Sequence, residues 1–389
     1  MKPFIFSTTK SIISEIGAVQ RIAEICSTLN ISKPLIITDQ GIVDVGLIEP
    51  LDAAFKKAGK EYFCFDQVVA DPPEHIVLSA VAYAKACEVD GVIGFGGGSS
   101  LDTAKLVALL ANSSEQLADI YGVDAIRGKR LPLILIPTTA GTGSEVTPIA
   151  IVTTGDTTKA GIVSSELLPD IDILDASLTL GLPSHVTAAT GIDAMVHAIE
   201  AYTSAIKKNP YSDLLAKQAL VLLSNNILEA TFNGNNVAAR QAMLLGACLA
   251  GQAFANSPVA AVHALAYPLG GHFHIPHGLS NALVLIQVMN FNLSHCADLY
   301  AELAPHISDS ITLDGSNNLI AQAMIAYIAS LIKQLKLPVS LAEVGIGESD
   351  LDTLAKDAML QTRLLVNNPK PLTFEDVKTI YQQAFEGIK

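Results

Sequence analysis

The segment DGVIGFGGGSSLDTAKLVALL, residues 90–110, runs an apolar stretch into three consecutive glycines and then into an amphipathic stretch. Read as local structure, it is a strand over 91–95, a turn at Gly96, Gly97 and Gly98, and a helix that carries Asp102, Lys105, Leu106 and Leu109. Glycine loses more backbone freedom on folding than any other residue, so three in a row need a reason. One reason is a tight turn with Ser99 or Ser100 capping the helix. The other is an anion lying against bare backbone at a helix N-terminus, where unpaired N–H groups and the helix dipole favour a phosphate. The pattern is neither the GxGxxG fingerprint nor a P-loop, because no Gly-Lys-Ser/Thr follows. Taken alone, the loop does not decide between the two.

Outward from this unit, the first half of the chain alternates. PLIITD (34–39), EYFCFDQVV (61–69), PLILIPTT (132–139), AIVTT (150–154) and DIDILD (170–175) read as strands, with PLDAAFKKAG (50–59) and EHIVLSAVAYAKACEV (74–89) as helices between them. Nearly continuous apolar strands imply burial on both faces, and alternation with helices implies a parallel sheet with right-handed crossovers. After about residue 183 the strand signals stop, and long stretches with 3.6-residue apolar spacing predict helices to the end. Gly181 and Pro183 punctuate the change. The expected fold is an α/β Rossmann-like N-terminal domain over 1–182 followed by an all-α C-terminal domain over 183–389.

Composition narrows the function. The chain has 389 residues, half of them hydrophobic, which suits two packed domains. A net charge of −14 argues against a nucleic-acid surface and against docking on anionic lipid. Five scattered cysteines without a CxxC pair fit a reducing compartment. The N-terminus lacks a signal-peptide pattern, and no apolar run of about 18 residues predicts a membrane span. The expected setting is cytoplasmic, without a membrane partner.

Two further features bear on the glycine loop. Asp39 ends an apolar strand, where an acidic side chain can accept hydrogen bonds from a ribose or simply cap a turn. PTTAGTGSEVT (137–147) is a second polar, glycine-rich loop after a strand, with Thr138, Thr139 and Thr142 supplying hydroxyls.

The sharper chemistry lies further on. TGIDAMVHAIEAY places Asp193 and His197 at i and i+4, on one helix face. VHALAYPLGGHFHIPHG then holds His263, His272, His274 and His277 within fifteen residues. One carboxylate with two or three imidazoles suits Fe(II) or Zn(II). An i,i+4 Asp–His pair can also be an ordinary helix pair, and a buried histidine an ordinary core residue. A serine-nucleophile reading is weaker, because neither GSSLD nor TGSEV matches the GxSxG elbow.

GFGGGSSLDTAK, PTTAGTGSEVT, ATGIDAMVHAIEAY and HALAYPLGGHFHIPHG, in this order, resemble the iron-containing (group III) alcohol dehydrogenases, and the likeness runs down to NPKPLTFEDVKTIYQQAF near the end. The resemblance implies the dehydroquinate synthase-like, iron-dependent alcohol dehydrogenase architecture, with the active site in a cleft between the two domains. It implies metal ligands at Asp193, His197, His263 and His277. It places pyrophosphate contacts at Gly97, Gly98 and Ser99, dinucleotide contacts at Thr138, Thr139 and Lys159, a nucleotide-lining apolar residue at Leu178, and selection of NAD over NADP at Asp39. Many members carry a histidine four residues after the third ligand, as a proton relay. Here that position is Tyr267, and a tyrosine, with an ordinary pKa of about 10, is a poorer shuttle at neutral pH. His272 and His274 are the other candidates for the relay.

The resemblance thus implies reversible hydride transfer between a small alcohol, a primary alcohol or diol, and NAD. A divalent metal, Fe(II) or alternatively Zn(II), would polarise the substrate oxygen in a homodimer or larger homo-oligomer. Two alternatives stand beside it: a metal- and NAD-dependent lyase of dehydroquinate synthase type, and a non-catalytic nucleotide-binding protein.

Overall fold

The structure, a computed structural model, describes residues 3–155 and 158–388. The chain divides into two compact units, residues 7–181 and residues 3–6 with 182–388.

The first unit is built on a six-stranded sheet of order β1-β9-β6-β4-β2-β3, with β1 at Ser11–Ser14, β2 at Pro34–Asp39, β3 at Phe63–Val68, β4 at Gly91–Gly96, β6 at Leu133–Pro137 and β9 at Ile171–Leu174. Every pairing in it is parallel. The central strands β4, β6 and β9 are buried along their whole length, which is why β4 and β6 read as unbroken apolar runs, while β9 also buries Asp172. Side chains still alternate between the faces. Leu35, Ile37, Val92, Leu133 and Leu135 join one apolar cluster, with Leu101 and Ala104 of the helix Gly98–Asn112. Ile36, Ile93, Phe95, Ile134 and Ile136 join the other, with Ile22 and Phe55.

From β2 the chain moves outward to β3, returns to β4, and then continues the opposite way to β6 and β9. The order therefore reverses between β2 and β4. In open parallel sheets, ligands sit outside the carboxyl ends of strands at such a reversal. Asp39 and Gly96 are the last residues of those two strands.

One strand departs from expectation. The stretch at 150–154, read as part of the parallel sheet, is β7 at Ile149–Thr154 in a separate three-stranded sheet, order β5-β8-β7. It pairs antiparallel with β8, Thr158–Val163, and β8 pairs with β5, Gly122–Val123. The physical reason lies in its burial, which alternates along β7 instead of running unbroken. Residues 156 and 157, between β7 and β8 in sequence, lie outside the described residues.

The second unit is helical, and among the described residues no strand follows β9. Its helices include Ser184–Thr203, Pro210–Phe232, Val237–Asn256, Ala261–Phe273, His277–Ile307, Asn317–Gln334, Leu351–Met359 and Phe374–Glu386. Side-chain caps start several of them: Asn209 accepts from Ser212 N, Asn236 from Ala239 N, and Thr373 forms a capping box with Asp376. Ser184–Thr203 is buried almost all round and packs against Pro210–Phe232, Val237–Asn256 and His277–Ile307. The first residues of the chain belong here: Phe4 and Phe6 lie 5.9 and 5.5 Å, centroid to centroid, from the Tyr211 ring. Among the described residues no single helix is long and apolar enough to cross a membrane.

Candidate active site

At the carboxyl end of β4, Gly96 has φ +147°, and a Cβ there would lie 2.8 Å from Ser100 Oγ. Only glycine suits this position. The helix begins at Gly98, its N-cap is Gly97, and no side chain caps it. Ser99 and Ser100 lie inside the first turn, so the reading in which one of them caps the helix is replaced by one in which the first N–H groups carry no side-chain cap. The first turn also carries no acidic residue. This is the arrangement that receives an anion.

The neighbouring strand ends converge on it. Thr138 N donates to Gly96 O at 2.9 Å, and Thr139 is the nearest side chain to a Cβ built on Gly97, at 3.8 Å. Asp39 serves locally as a cap: its Oδ1 accepts from Ile42 N at 3.1 Å, and its Oδ2 is 3.5 Å from Ser100 Oγ. Lys159 on β8 donates to Asp71 Oδ1 at 2.7 Å, and Asp71 N donates to Ser99 Oγ at 3.2 Å. Asp71, in left-handed backbone at φ +50°, thus ties Lys159 to the glycine loop, a link the sequence reading missed. Leu178 stands apart. It is 2 % exposed, within the apolar cluster that holds Ile93 and Phe95.

A second missed feature lies behind the loop. Lys105 is wholly buried, and its three N–H groups are shared among four acceptors near Nζ, Asp102 Oδ1 (3.1 Å), Ser144 Oγ (2.8 Å), Thr147 Oγ1 (3.2 Å) and Ile149 O (2.6 Å). Asp102 also accepts from Ser144 Oγ and Ile151 N. This buried set fastens the glycine-loop helix to the Thr/Gly-rich loop. Burial lowers the Lys105 pKa, while Asp102 and Glu145 oppose the shift.

In the helical unit, Asp193, His197, His263 and His277 come together, their ligand atoms all within 4.8 Å of one another. The Nε2 atoms of His197, His263 and His277 lie 3.9, 3.9 and 3.7 Å from Asp193 Oδ1. Asp193, His197 and His263 are buried, and His277 is half-buried. Phe254 stacks on His197 at 4.3 Å and closes that side with apolar surface. Burial pushes the Asp193 carboxyl up, but the three histidines and the Asn281 amide outweigh it and hold it below the usual range.

Three elements supply these ligands. Asp193 and His197 share a face of Ser184–Thr203. His263 lies in the first turn of Ala261–Phe273, and His277 opens His277–Ile307. Gly278 permits the approach, because a Cβ there would lie 2.5 Å from Ala189 O and 3.2 Å from Asp193 Cβ. Glu200, seven residues beyond Asp193 on the same helix, orients His263: its Oε2 is 2.7 Å from His263 Nδ1, and its Oε1 accepts from Val262 N at 2.7 Å. A carboxylate only accepts, so Nδ1 donates to Glu200 and Nε2 is the ring atom turned toward Asp193.

The three relay candidates separate. Tyr267 lies against the cluster, its ring 6.0 Å from that of His277. His272 is exposed and pairs through Nε2 with Asp357 of Leu351–Met359 at 2.5 Å. His274 is the left-handed C-cap of Ala261–Phe273, at φ +54°. Neither belongs to the cluster.

The donor set fits a first-row divalent cation. Ligand bonds of about 2.0–2.2 Å place tetrahedral donors roughly 3.4 Å apart, close to the separations here. One unit thus carries an uncapped, glycine-rich helix N-terminus at the reversal of a parallel sheet, and the other a mostly buried nitrogen–oxygen cluster that fits a divalent cation.

Comparison with known proteins gives the family. Residues 9–176 match the model described as iron-containing alcohol dehydrogenase, and residues 187–385 that of the C-terminal part of the Fe-containing alcohol dehydrogenase family. Long-chain-alcohol dehydrogenase 1 of Geobacillus thermodenitrificans is 41% identical over 379 residues, covering 95% of this chain and 94% of the relative. A crystal structure of 1,3-propanediol oxidoreductase matches with TM-score 0.95 at 33% identity, over 99% of this chain and 100% of that one. The structure of sulfoacetaldehyde reductase from Bifidobacterium kashiwanohense in complex with NAD+ matches with TM-score 0.88 at 27% identity, over 99% of each chain. The chain belongs to the iron-containing alcohol dehydrogenase family. It is an oxidoreductase, a metal-dependent alcohol dehydrogenase that uses NAD. The lyase reading is not favoured.

Proposed function

We propose that this enzyme interconverts a small primary alcohol or diol and its aldehyde, with Asp193, His197, His263 and His277 holding Fe(II). The observation that carries the reading is the convergence of three imidazole Nε2 atoms on Asp193 Oδ1 at 3.7–3.9 Å, in a mostly buried site. The name 1,3-propanediol oxidoreductase supports a small diol, while long-chain-alcohol dehydrogenase supports an alcohol substrate but a larger one. The family's name supports iron.

In this reading residues 7–181 bind the dinucleotide. Gly97, Gly98 and Ser99 take the pyrophosphate on the uncapped helix N-terminus, Thr138 and Thr139 flank it, and Lys159 adds a positive charge. Asp39 accepts from the ribose hydroxyls and disfavours a 2′-phosphate. Leu178 supports the pocket from the core. The helical unit binds the alcohol. A divalent cation held there supplies Lewis acidity, which lowers the pKa of an alcohol. One carboxylate and three neutral imidazoles leave a single net positive charge beside a divalent cation, and burial strengthens its field. Hydride leaves the carbinol carbon for the nicotinamide and the hydroxyl proton leaves separately, giving aldehyde, NADH and H+. Tyr267, beside His277, is the hydrogen-bonding group placed for that proton's path. His272 and His274 are assigned no part in it, since one pairs with Asp357 and the other caps a helix. The same reading places the enzyme in the cytoplasm, in keeping with five cysteines outside any disulfide, and as a homodimer or larger homo-oligomer.

The test is NADH formation at 340 nm by metal-stripped protein, over a panel of primary, secondary and diol alcohols, with anaerobic Fe(II), with Zn(II), or with chelator. NADH that grows with Fe(II) and a primary alcohol or diol is the expected result. Equal rates in chelator would sink the metal assignment, and a preference for secondary alcohols would sink the substrate class.

A further inference from the structure

Asp71 joins two parts of the cofactor region that lie far apart in the sequence. Thr153 and Lys159 face each other across the β7–β8 hairpin, and both grip the segment that follows β3. Thr153 Oγ1 donates to Asp71 O at 2.8 Å, and Thr153 N donates to Pro72 O at 3.0 Å. Lys159 Nζ donates to Asp71 Oδ1 at 2.7 Å, while Asp71 N donates to Ser99 Oγ, in the first turn of the glycine-loop helix, at 3.2 Å. The two charged partners differ in exposure. The Lys159 side chain is 9 % exposed and that of Asp71 50 %. Thr153 holds the backbone of residues 71 and 72 independently of the carboxylate. The carboxylate is therefore the half of the ion pair that can turn into water, and the ammonium is the half that cannot.

We propose that Asp71 sets how long the dinucleotide stays bound, by competing with its pyrophosphate for the Lys159 ammonium. The proposal rests on the reading of Gly97, Gly98, Ser99 and Lys159 as the pyrophosphate site. Before a dinucleotide arrives, the carboxylate is the counter-ion of a nearly buried cation, which is costly to leave unpaired. A pyrophosphate on the uncapped first turn supplies that counter-charge itself, and two anions then face one ammonium. The half-exposed carboxylate is the anion that water can take up at little cost. It rotates outward and returns as the dinucleotide leaves, so Lys159 keeps a counter-ion throughout. The ion pair stabilises only the empty site. It therefore lowers the affinity for NAD and NADH alike, since both carry the same pyrophosphate, and shortens their stay. Asp39 chooses between cofactors, whereas Asp71 tunes the release of either form of one.

The test measures binding without turnover. Wild type, Asp71→Asn, Lys159→Met and the double variant are compared for NADH binding by fluorescence, ADP binding by calorimetry and NADH dissociation by stopped flow. Circular dichroism reports folding. Asparagine keeps the size, still accepts from Lys159, and tolerates the left-handed backbone at φ +50°. Asp71→Asn should bind NADH and ADP about 5-fold more tightly, the order of a half-exposed ion pair, and release NADH correspondingly more slowly. In the Lys159→Met background the same exchange should gain clearly less, because the contested cation is gone. Binding by Asp71→Asn equal to or weaker than wild type overturns the proposal, since the carboxylate would then support Lys159 instead of rivalling the pyrophosphate. Equal gains in both backgrounds also overturn it, since Asp71 would then act as a general charge and not through Lys159. If Asp71→Asn does not fold, Asp71→Ser is judged by the same two criteria. Failure of wild type to bind NADH or ADP is a separate result, which removes the cofactor-site reading and this proposal with it.

Discussion

His263 Nδ1 lies 2.7 Å from Glu200 Oε2, and both side chains are buried. The carboxylate is anchored at its other oxygen by Val262 N, so the imidazole has one tautomer and one orientation available. Partners of this kind typically govern metal affinity by about 10–100-fold. Glu200→Ala should lower divalent-metal affinity by that order. Glu200→Gln, which can still accept from Nδ1–H without the charge, should fall between it and wild type. Chelator competition on the folded proteins measures both. Equal affinities in all three would mean that Glu200 only packs the helices.

Gly278 carries the second prediction. A methyl group there meets the carbonyl of Ala189 at 2.5 Å, and backbone cannot yield as a flexible side chain can. Gly278→Ala should displace the start of His277–Ile307 from Ser184–Thr203 and take His277 away from Asp193. Overpacking of this kind costs about 1–3 kcal/mol, so the protein should remain folded with a lowered melting temperature. Its metal affinity should fall more than a buried Ala→Gly exchange elsewhere, such as at Ala250, would lower it. A melting temperature that drops while metal affinity holds would separate the glycine from the site.

What the sequence revealed and concealed follows from the range of each signal. The i,i+4 pair Asp193 and His197 is visible because helix geometry alone puts both on one face, and the central strands because burial on both faces leaves unbroken apolar runs. Glu200 continues that face at i+7 and was legible in principle, but a helical glutamate has no signature until His263 is seen beside it. Asn281 gives none at all. His272 and His274 are near the cluster in sequence but not part of it, because the chain turns through a left-handed C-cap at His274 and His272 pairs with Asp357. The hairpin of β7 and β8 escaped because TKAGIV holds few strongly apolar residues, and β1 because its four residues form an exposed edge.

Asp39 is a cap and, in the proposed function, a ribose acceptor, and the two roles can be separated. Replacing an N-cap aspartate by glycine costs only a few tenths of a kcal/mol, roughly, in helix stability. A hydrogen bond to a charged group is worth about 1.5–3 kcal/mol. Asp39→Gly should therefore leave the melting temperature almost unchanged while moving the kcat/KM ratio for NADP over NAD upward by about 10- to 100-fold. Steady-state rates with both cofactors and one alcohol measure it. An unmoved ratio would leave Asp39 as a cap and nothing else.

The buried set behind the glycine loop makes stability depend on pH. Glu145 is 2 % exposed, and burial pushes its carboxyl up to about 7, with Lys105 pulling against the shift. In the unfolded chain a glutamate titrates near 4.5. The folded protein thus holds a proton on Glu145 through a range in which the unfolded chain has lost it. The stabilisation from this proton is complete below the unfolded value and disappears as pH rises to about 7. Glu145→Gln, neutral at every pH, should remove this part of the slope. The difference in melting temperature between wild type and variant should therefore change steadily between pH 4.5 and 7, with wild type losing ground, and level off above. Lys105→Met provides the counterpart. It leaves the partly buried Asp102 without its cation and loosens the loop that holds Thr138 and Thr139, so it should lower the melting temperature and also weaken NAD binding. Parallel melting curves for wild type and Glu145→Gln across this range would mean that Glu145 is already ionised in the folded protein, drawn down by Lys105.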